Sequence, residues 1–354
     1  MNLLKKISIF ALTGLTALFP FLTFGCGNSS NNEINLSEVT HSTFYAPLYV
    51  AINNGYFEEE GLKINLSNGG GSNNSMSALV SGSADIVLVG PETVVYTQQE
   101  GIKDQPMVFG QLTQTDGAFI VARSYTKDTF TLDELKGESI IGGREGGLPA
   151  MTLQYVIEES GLTIGLNKTN NEVDLISNVE FNAIGSTFVS RTDVKYCTLF
   201  EPTATQFVNE SNGEYKIVAS VSSFLTEKVP YTCFVAKQSF LKNQNEKSEK
   251  FLTAVTKGYK FLKSCVENNE LTKAAESLLP SFSGMTKEEL AIAIKAYVDI
   301  NAWTDNPAMT KNSYDMLINI TANAGKILGN GVTFNTVVNN TIADKVNTKI
   351  IKID

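Results

Sequence analysis

Short apolar runs bounded by turn residues alternate with helical patterns over the first two-thirds of this chain of 354 residues. The runs have the length and composition of buried β-strands, and the segments between them have the apolar spacing of helices. Such an alternation predicts βαβ units with a mostly parallel sheet, so the chain is restricted to the α/β class. The first strand-like runs are residues 34–39, 62–66, 85–89 and 108–112, with helical segments at 47–53 and 75–80.

A second set of strands and helices follows, and the last third of the chain is almost wholly helical. We therefore predict one lobe from residues 34–116 and 226–354, and a second lobe inserted at residues 117–225. The chain would cross between them in hinge strands near residues 116–118 and 229–232, with a ligand cleft between the lobes. The second set comprises strands at 119–122, 139–141, 197–200, 216–219 and 231–236, helices at 151–160 and 202–208, and capping boxes at Thr131–Glu134 and Thr286–Glu289.

The N-terminus has the pattern of a secretory signal peptide. Two lysines precede an apolar stretch over residues 7–24, and a small residue then precedes Cys26. This ending resembles the lipobox of bacterial lipoproteins, although the leucine stands one position further from the cysteine than is usual. We predict a signal peptide at residues 1–25, a flexible tether at 26–33, and a lipid anchor at Cys26 on the extracytoplasmic face of the cell membrane. The alternatives are a transmembrane anchor and a cleaved signal with an incidental Cys26.

Composition excludes several classes of function. With 28 Lys and Arg against 37 Asp and Glu, the chain lacks the basic surface that nucleic acid needs. A single histidine and four cysteines without CxxC spacing give no metal-ligand pattern and no His-assisted catalytic constellation. We therefore expect no metal, no cofactor and no nucleic-acid partner.

The most specific motifs are APLYVA, GYFEEEGL and LVSGSADI, followed by QLTQTDGAFIVAR, LDELKG, IIGGREGG, LFEPTA, VPYTCFVA and WTDNPAMTKNSYD. Together and in this order, the motifs resemble the solute-binding proteins of ABC importers in the nitrate, sulfonate, taurine and thiamine-pyrimidine group. The resemblance extends from Ile34 to Asp344. The resemblance implies a two-lobed α/β fold like that of type II periplasmic binding proteins, with a ligand cleft between the lobes and a helical C-terminal part. It also implies a non-enzymatic monomer whose partners are a small-molecule ligand and a membrane ABC permease.

Loops at strand ends are the first candidates for ligand contact, because such ends face the crevice in open α/β sheets. Two of them are rich in glycine, and bare backbone N–H groups at a helix N-terminus can meet a polar or anionic ligand. A plain αβ loop and an exposed arginine are the alternative interpretations. The predicted contacts in these loops are Gly70, Gly71, Ser72, Pro91, Glu92, Gly143, Arg144 and Gly146.

The remaining candidates are polar and aromatic side chains near strand ends and crossings. The sole histidine could contact a ligand or be structural, and a neighbouring tyrosine could stack on a planar ligand or pack in the core. The carboxylate of Asp116 stands at the first hinge, and that of Glu201 is expected to be free and to point into the cleft. For both residues, a hinge or capping role is the alternative. These candidates are His41, Ser42, Tyr45, Asp116, Glu201 and Tyr231.

The charge balance of these candidates favours a neutral or cationic ligand. Three carboxylates stand against one arginine and one histidine, and an unpaired buried negative charge repels an anion. Because a carboxylate can accept paired hydrogen bonds from an amino-substituted ring, we predict an amino-heterocycle such as a thiamine-pyrimidine precursor. A sulfonate, taurine or nitrate held by Arg144 and helix N-termini is the alternative ligand. An enzyme similar to thiamine-pyrimidine synthase is the alternative function, and the export signal argues against it.

Overall fold

A computed structural model describes residues 32–165, 171–326 and 331–351. The predicted signal peptide, Cys26 and most of the predicted tether lie outside the described residues. Among the helices that are described, none combines the length and the apolar character needed to cross a membrane. The chain from Asn32 onward groups into one unit by its internal contacts, and both sheets belong to that unit.

The first sheet combines strands from the N-terminal part of the chain with one strand that returns after the second sheet. Its strands are β1 (Glu33–Glu38), β2 (Lys63–Asn68), β3 (Ile86–Val89), β4 (Pro106–Thr113) and β11 (Thr232–Lys237). Their order is β2-β1-β3-β11-β4, with β1, β2 and β3 parallel and β11 antiparallel to both of its neighbours. The central strand β3 is buried throughout, which explains its uninterrupted apolar run.

The second sheet is built from the segment between the two parts of the first. Its strands are β5 (Ala118–Arg123), β6 (Ser139–Ile141), β7 (Thr163–Ile164), β8 (Glu172–Ile176), β9 (Tyr196–Phe200) and β10 (Tyr215–Ser220). Their order is β10-β5-β9-β6-β8-β7, with β6 parallel to β8 and β9, and β5 antiparallel to β9 and β10. The sequence did not predict β7 and β8, because both are short and only partly buried.

Helices accompany both sheets and make up the C-terminal part. They are α1 (Ala46–Asn53), α2 (Tyr56–Glu59), α3 (Ser72–Ser81), α4 (Glu92–Gln99), α5 (Leu148–Glu159), α6 (Ile184–Ser190), α7 (Thr203–Glu210), α8 (Gln238–Asn243), α9 (Asn245–Glu267), α10 (Leu271–Leu278), α11 (Lys287–Asp299), α12 (Lys311–Asn323), α13 (Phe334–Val337) and α14 (Thr341–Ile351). The helical C-terminal part is confirmed. The sequence analysis did not identify α4 and α6.

One of the two predicted capping boxes is present. Thr286 and Glu289 exchange both hydrogen bonds at the start of α11. At Thr131 the prediction is wrong, because the segment is a 3-10 helix, Leu132–Leu135, without a side-chain cap bond. Lys136 leaves the helical conformation with a ψ of 120°, and Gly137 follows it with a φ of 73°, so the segment ends after one turn.

The chain passes between the sheets in two connections that lie side by side. The first joins β4 to β5, and the second joins β10 to β11. The backbone N–H of Val229 donates to the carbonyl of Gln114 at 3.1 Å, and that of Tyr231 donates to the carbonyl of Thr113 at 3.2 Å. The hydroxyls of Thr113 and Thr232 are 2.6 Å apart. The predicted hinge strands fall in these connections, while the lobe boundaries drawn from them stay a prediction.

The long helix α9 approaches α1 closely because a glycine stands at their contact. A Cβ atom added to Gly258 would lie 2.1 Å from the carbonyl oxygen of Pro47. No side chain fits in that space, so glycine permits the approach of the two backbones.

Candidate functional site

A cleft lies where strands of both sheets end, which is the usual place for a ligand in open α/β sheets. Its volume, counted to the open mouth, is about 640 Å³. We call it the main cleft. It is lined by Val39, Tyr45, Gly71, Ser72, Gly90, Glu92, Gly143, Arg144, Gly147, Leu148, Pro149, Glu180, Phe181, Phe200, Tyr231 and Thr232. The predicted contacts among them are Tyr45, Gly71, Ser72, Glu92, Gly143, Arg144 and Tyr231.

The loop after β2 brings the N-terminus of α3 to the main cleft. Gly71 precedes the helix with a φ of 152°, and Ser72 begins it. A Cβ atom added to Gly69 would lie 2.2 Å from the hydroxyl oxygen of Ser75, so the loop packs against the helix only with glycine at that position. The start of α3 therefore borders the cleft, with Gly71 and Ser72 among its lining residues.

Arg144 lies in the loop after β6 and borders the main cleft from the other sheet. Its Nη2 donates to Oδ1 of Asn73, in α3, at 3.3 Å. The side chain is half-buried, so Arg144 is not an isolated surface charge. Helix α5 begins just beyond, at Leu148, and adds a second helix N-terminus to the cleft wall.

The same loop makes two further contacts, one with α4 and one with the segment that follows α12. The hydroxyl of Tyr96 donates to the carbonyl of Gly146 at 3.0 Å. Nζ of Lys326 lies 3.1 Å from Oε1 of Glu145. These contacts hold Arg144 and the start of α5 in place across the cleft.

Glu92 is the most perturbed acid that lines the main cleft. It begins helix α4, its side chain is buried, and its Oε2 has no hydrogen-bond partner among the described residues. Burial raises the pKa of Glu92 to about 7, against the opposing effects of its own N–H, the N–H of Leu148 and the charge of Arg144. A Cβ atom on Gly90 would lie 2.1 Å from the carboxyl group, so glycine there leaves the space that Glu92 occupies. Glu92 can therefore exchange a proton near neutral pH and still accept a hydrogen bond.

Aromatic rings form the walls of the main cleft. The ring centroid of Phe200 lies 5.1 Å from that of Phe181 and 6.3 Å from that of Tyr231. Burial raises the pKa of Tyr45 and of Tyr231, so both phenols remain neutral donors at physiological pH. The Tyr231 hydroxyl interacts with the buried carboxyl group of Asp116, which raises the pKa of Tyr231 further. These walls suit the faces of a planar ring.

A second cavity, which we call the side cavity, adjoins the main cleft and shares Phe181 and Phe200 with it. Its volume to the open mouth is about 1030 Å³. Three predicted ligand contacts, His41, Ser42 and Glu201, line this cavity instead of the main cleft. Its lining residues are Thr40, His41, Ser42, Asn68, Phe181, Asn182, Ile184, Gly185, Ser186, Val189, Thr198, Leu199, Phe200, Glu201, Thr203 and Phe207.

His41 has both ring nitrogens paired within the protein. Nδ1 lies 2.8 Å from Oε1 of Glu38, and Nε2 lies 2.7 Å from the carbonyl oxygen of Ser281. The ring packs between Tyr49 and Phe282, with centroid distances of 4.7 and 4.6 Å. The hydrogen bond to Glu38 raises the pKa of His41. These contacts are those of a structural histidine, which is the alternative role given to His41 in the sequence analysis.

The expectation that the Glu201 carboxylate is free and points into the cleft is wrong. Its Oε2 accepts the N–H of Thr205 at 3.0 Å and its Oε1 accepts the Thr205 hydroxyl at 2.8 Å, so the carboxylate caps α7. Burial raises the pKa of Glu201, and the two bonds from Thr205 oppose this. Its backbone is also held, because the Ser42 hydroxyl donates to its carbonyl at 2.6 Å and its N–H donates to the Tyr297 hydroxyl at 2.8 Å.

Asp116, Gly70, Pro91 and Gly146 were predicted contacts but do not line either cavity. Asp116 is fully buried in the first connection, where Oδ1 accepts the N–H of Ala118 at 2.7 Å. Burial raises the pKa of Asp116 to about 7, and the N–H of Ala118 and the hydroxyl of Tyr231 oppose this rise. The other three support neighbours that do face the cleft: Gly70 and Pro91 precede the helices α3 and α4, and Gly146 receives the tyrosine bond described above.

The sequence analysis missed an aromatic wall and part of the rim. Phe200 stands beside Glu201 in the sequence, and only the carboxylate of this pair was predicted as a contact. Glu180 and Phe181 follow β8, and since that strand was not predicted, no strand end was expected there. Among the described residues, no group of histidine, cysteine or acidic side chains could hold a metal ion. The arrangement offers one buried carboxyl group (Glu92), one exposed carboxyl group at the rim (Glu180), one guanidinium, helix N-termini and aromatic faces to a small molecule.

Comparison with known proteins identifies the relatives of this chain. The family model described as NMT1/THI5 like matches residues 42–265. The chain is 36% identical over 330 residues to the "Putative binding protein YtlA" of Bacillus subtilis (strain 168), across 92% of this chain and 94% of that protein.

Solved structures show the same fold at low sequence identity. The periplasmic nitrate-binding protein NrtA from Synechocystis PCC 6803 matches with a TM-score of 0.69 and 14% identity, over 90% of this chain and 89% of that one. The ligand binding component of an ABC-type import system from Staphylococcus aureus matches with a TM-score of 0.66 and 13% identity, over 89% of this chain and 98% of that one. The predicted fold class is confirmed: this protein has the periplasmic-binding-protein fold, and the chain belongs to the NMT1/THI5-like family.

Proposed function

We propose that this protein is an extracytoplasmic solute-binding protein of an ABC importer. It captures an amino-substituted heterocycle, such as a thiamine-pyrimidine precursor, in the main cleft and delivers it to a membrane permease. Residues 34–116 with 226–354 and residues 117–225 form two lobes that close on the ligand about the paired connections. The protein acts as a monomer without chemical conversion of the ligand, in keeping with relatives that are named as binding proteins or import components.

The observation that carries the ligand class is the buried carboxyl group of Glu92. A buried acid with an unpartnered oxygen needs a donor, and an amino group on a ring supplies one or two. The aromatic walls give that ring two apolar faces. Arg144 and the Tyr45 and Tyr231 hydroxyls complete the polar contacts to ring nitrogens or substituents.

A sulfonate, taurine or nitrate is the second candidate ligand, and a specific feature favours it. The N-termini of α3 and α5 both border the main cleft, together with Arg144. Helix N-termini and a guanidinium together suit an anion. Against this stands Glu92, whose ionised form would repel the same anion. A thiamine-pyrimidine synthase-like enzyme is the remaining alternative, and it would be supported by conversion of a bound pyrimidine.

Mass spectrometry of the small molecule that co-purifies with residues 27–354 tests the proposal. We expect one nitrogen-rich heterocycle, present in the wild type and lost in Glu92→Gln. Glu180→Gln is the matched control, because Glu180 borders the same cleft but is exposed, and it should retain the molecule. An anionic sulfonate, or equal retention by both variants, would contradict the ligand class.

The proposed anchor is tested separately in the intact precursor. Cys26→Ser should prevent lipidation and move the protein from the membrane fraction to the medium or periplasm. A protein that stays in the membrane fraction after this substitution would have another anchor, and the lipoprotein proposal would be wrong.

A further inference from the structure

We propose that the side cavity binds an apolar substituent of the same ligand whose polar head lies in the main cleft. This inference rests on the proposed function and narrows the ligand to an amphipathic molecule. Its polar end pairs with Glu92, and its apolar end lies among the phenylalanines of the side cavity.

The two cavities adjoin at a shared aromatic border. Phe181 and Phe200 line both, and their ring centroids are 5.1 Å apart. The edge of Phe44 packs on Phe200 with a centroid distance of 5.5 Å, which fixes the position of that ring. A ligand that extends out of the main cleft past these rings therefore meets an apolar surface first.

The most polar groups of the side cavity are already paired within the protein. Both nitrogens of His41 are bound, the Ser42 hydroxyl donates to a backbone carbonyl, and the Glu201 carboxylate caps α7. A charged or donor-rich group that took His41, Ser42 or Glu201 as its partner would compete with these bonds. An apolar group breaks none of them, so these polar liners do not oppose it.

Helix α6 supplies an apolar wall with space in front of it. Val189 is 50% exposed, and Ile184, Leu199 and Phe207 complete this side. Gly185 faces the same space: an added Cβ atom would lie 3.5 Å from the Phe207 ring, an ordinary contact. The cavity therefore has room because position 185 carries no side chain, and a larger residue there would fill it.

Titration with Nile red, a neutral dye that fluoresces in apolar surroundings, tests the side cavity on its own. Wild type and Gly185→Ala should bind the dye equally, whereas Gly185→Leu should weaken binding at least tenfold by filling the space. Val189→Asp is a second variant at an exposed position where folding is not at risk, and it should weaken binding to a similar extent. Absence of dye binding to wild type, or unchanged binding to Val189→Asp, overturns the proposal.

Mass spectrometry of the co-purified molecule then separates this inference from the proposed function. Loss of the molecule in both Glu92→Gln and Val189→Asp supports a single ligand that spans both cavities. Loss in Glu92→Gln with full retention in Val189→Asp keeps the proposed function and overturns the inference. Retention in both variants overturns the two together.

Discussion

Replacing Glu92 with glutamine tests the reasoning about the ligand most directly. Glutamine has nearly the same shape as glutamate but cannot ionise. The substitution therefore removes the charge at a position that is 1% exposed and leaves the cleft geometry unchanged. For a ligand that donates amino hydrogens to the carboxylate, we expect weaker binding. For a sulfonate that the carboxylate repels, we expect stronger binding.

The size of the effect follows from the hydrogen bond that is lost. A hydrogen bond to a charged group contributes about 1.5–3 kcal/mol, which corresponds to roughly 10- to 150-fold in affinity. Because burial raises the pKa of Glu92 to about 7, the carboxyl is roughly nine-tenths ionised one pH unit above that value and one-tenth ionised one unit below. The advantage of wild type over the glutamine variant should therefore shrink by about tenfold from pH 8 to pH 6.

Isothermal titration calorimetry with two probes measures this effect. The first probe is 4-amino-5-hydroxymethyl-2-methylpyrimidine and the second is ethanesulfonate, each titrated at pH 6 and pH 8. Comparing wild type with Glu92→Gln at each pH cancels the protonation of the probe itself. If the variant binds the pyrimidine as tightly as wild type at pH 8, or if ethanesulfonate binds wild type more tightly than it binds the variant, the assigned role of Glu92 is wrong.

Three further substitutions and one control substitution test the structure away from the main cleft, each followed by chemical denaturation. Gly258→Ala should lower the free energy of unfolding by about 1–3 kcal/mol, because the added methyl group overpacks the contact between α9 and α1. Gly185→Ala is the control: it is also in a helix but has no close neighbour, so it should be neutral or stabilise by up to about 1 kcal/mol. Equal effects of the two substitutions would contradict the close helix contact. Burial raises the pKa of Asp116 from 3.8 to about 7, so the stability of the wild type falls as pH rises between these values. Asp116→Asn cannot ionise and should be more stable than wild type by up to roughly 4 kcal/mol above pH 8. Near pH 4 it should be no more stable. The hydrogen bond to Glu38 raises the pKa of His41, so protonated His41 stabilises the fold fully below the usual histidine pKa, and this stabilisation is lost as pH rises through the folded value. His41→Gln should therefore destabilise the protein more at pH 6 than at pH 9. A loss of stability that does not depend on pH would refute the charged pairing.

The fold was predictable because its signals are local. Strands such as β3 have uninterrupted apolar runs, and the periodic spacing of α9 marks a long amphipathic helix. The elements that were missed carry weak local signals. The strand β8 is only partly buried, and α6 is short, so neither has a strong period of its own. Pairing with β6 and packing against β9 fix them, and neither contact is visible in a single sequence.

The site was predicted in its loops and less well in its side chains. Gly71 and Gly143 were predicted from their loops as ligand contacts, and both line the main cleft. Glu201 was misjudged because capping depends on the hydroxyl of Thr205, four residues along, which lies in hydrogen-bond range only once α7 has formed. Whether a carboxylate is free or paired depends on the folded geometry, even for a partner close in sequence, and the sequence shows only which groups compete for it.

The position of Glu92 is a stronger indication of the ligand's charge than membership of the family is. Two helix N-termini and Arg144 would suit an anion, but the protein places its own carboxyl group against one of them, at the N–H of Leu148. Ionising that carboxyl in the empty cleft costs roughly 3 kcal/mol, since its pKa rises from 4.5 to about 7 on folding. A glutamine would occupy the same space without this cost, and an anionic ligand would raise the cost further. Only a ligand that brings a hydrogen-bond donor or a positive charge to Glu92 offsets it, so binding of such a ligand should lower the pKa of Glu92 and release protons at pH 7, which calorimetry in buffers of different ionisation enthalpy would detect.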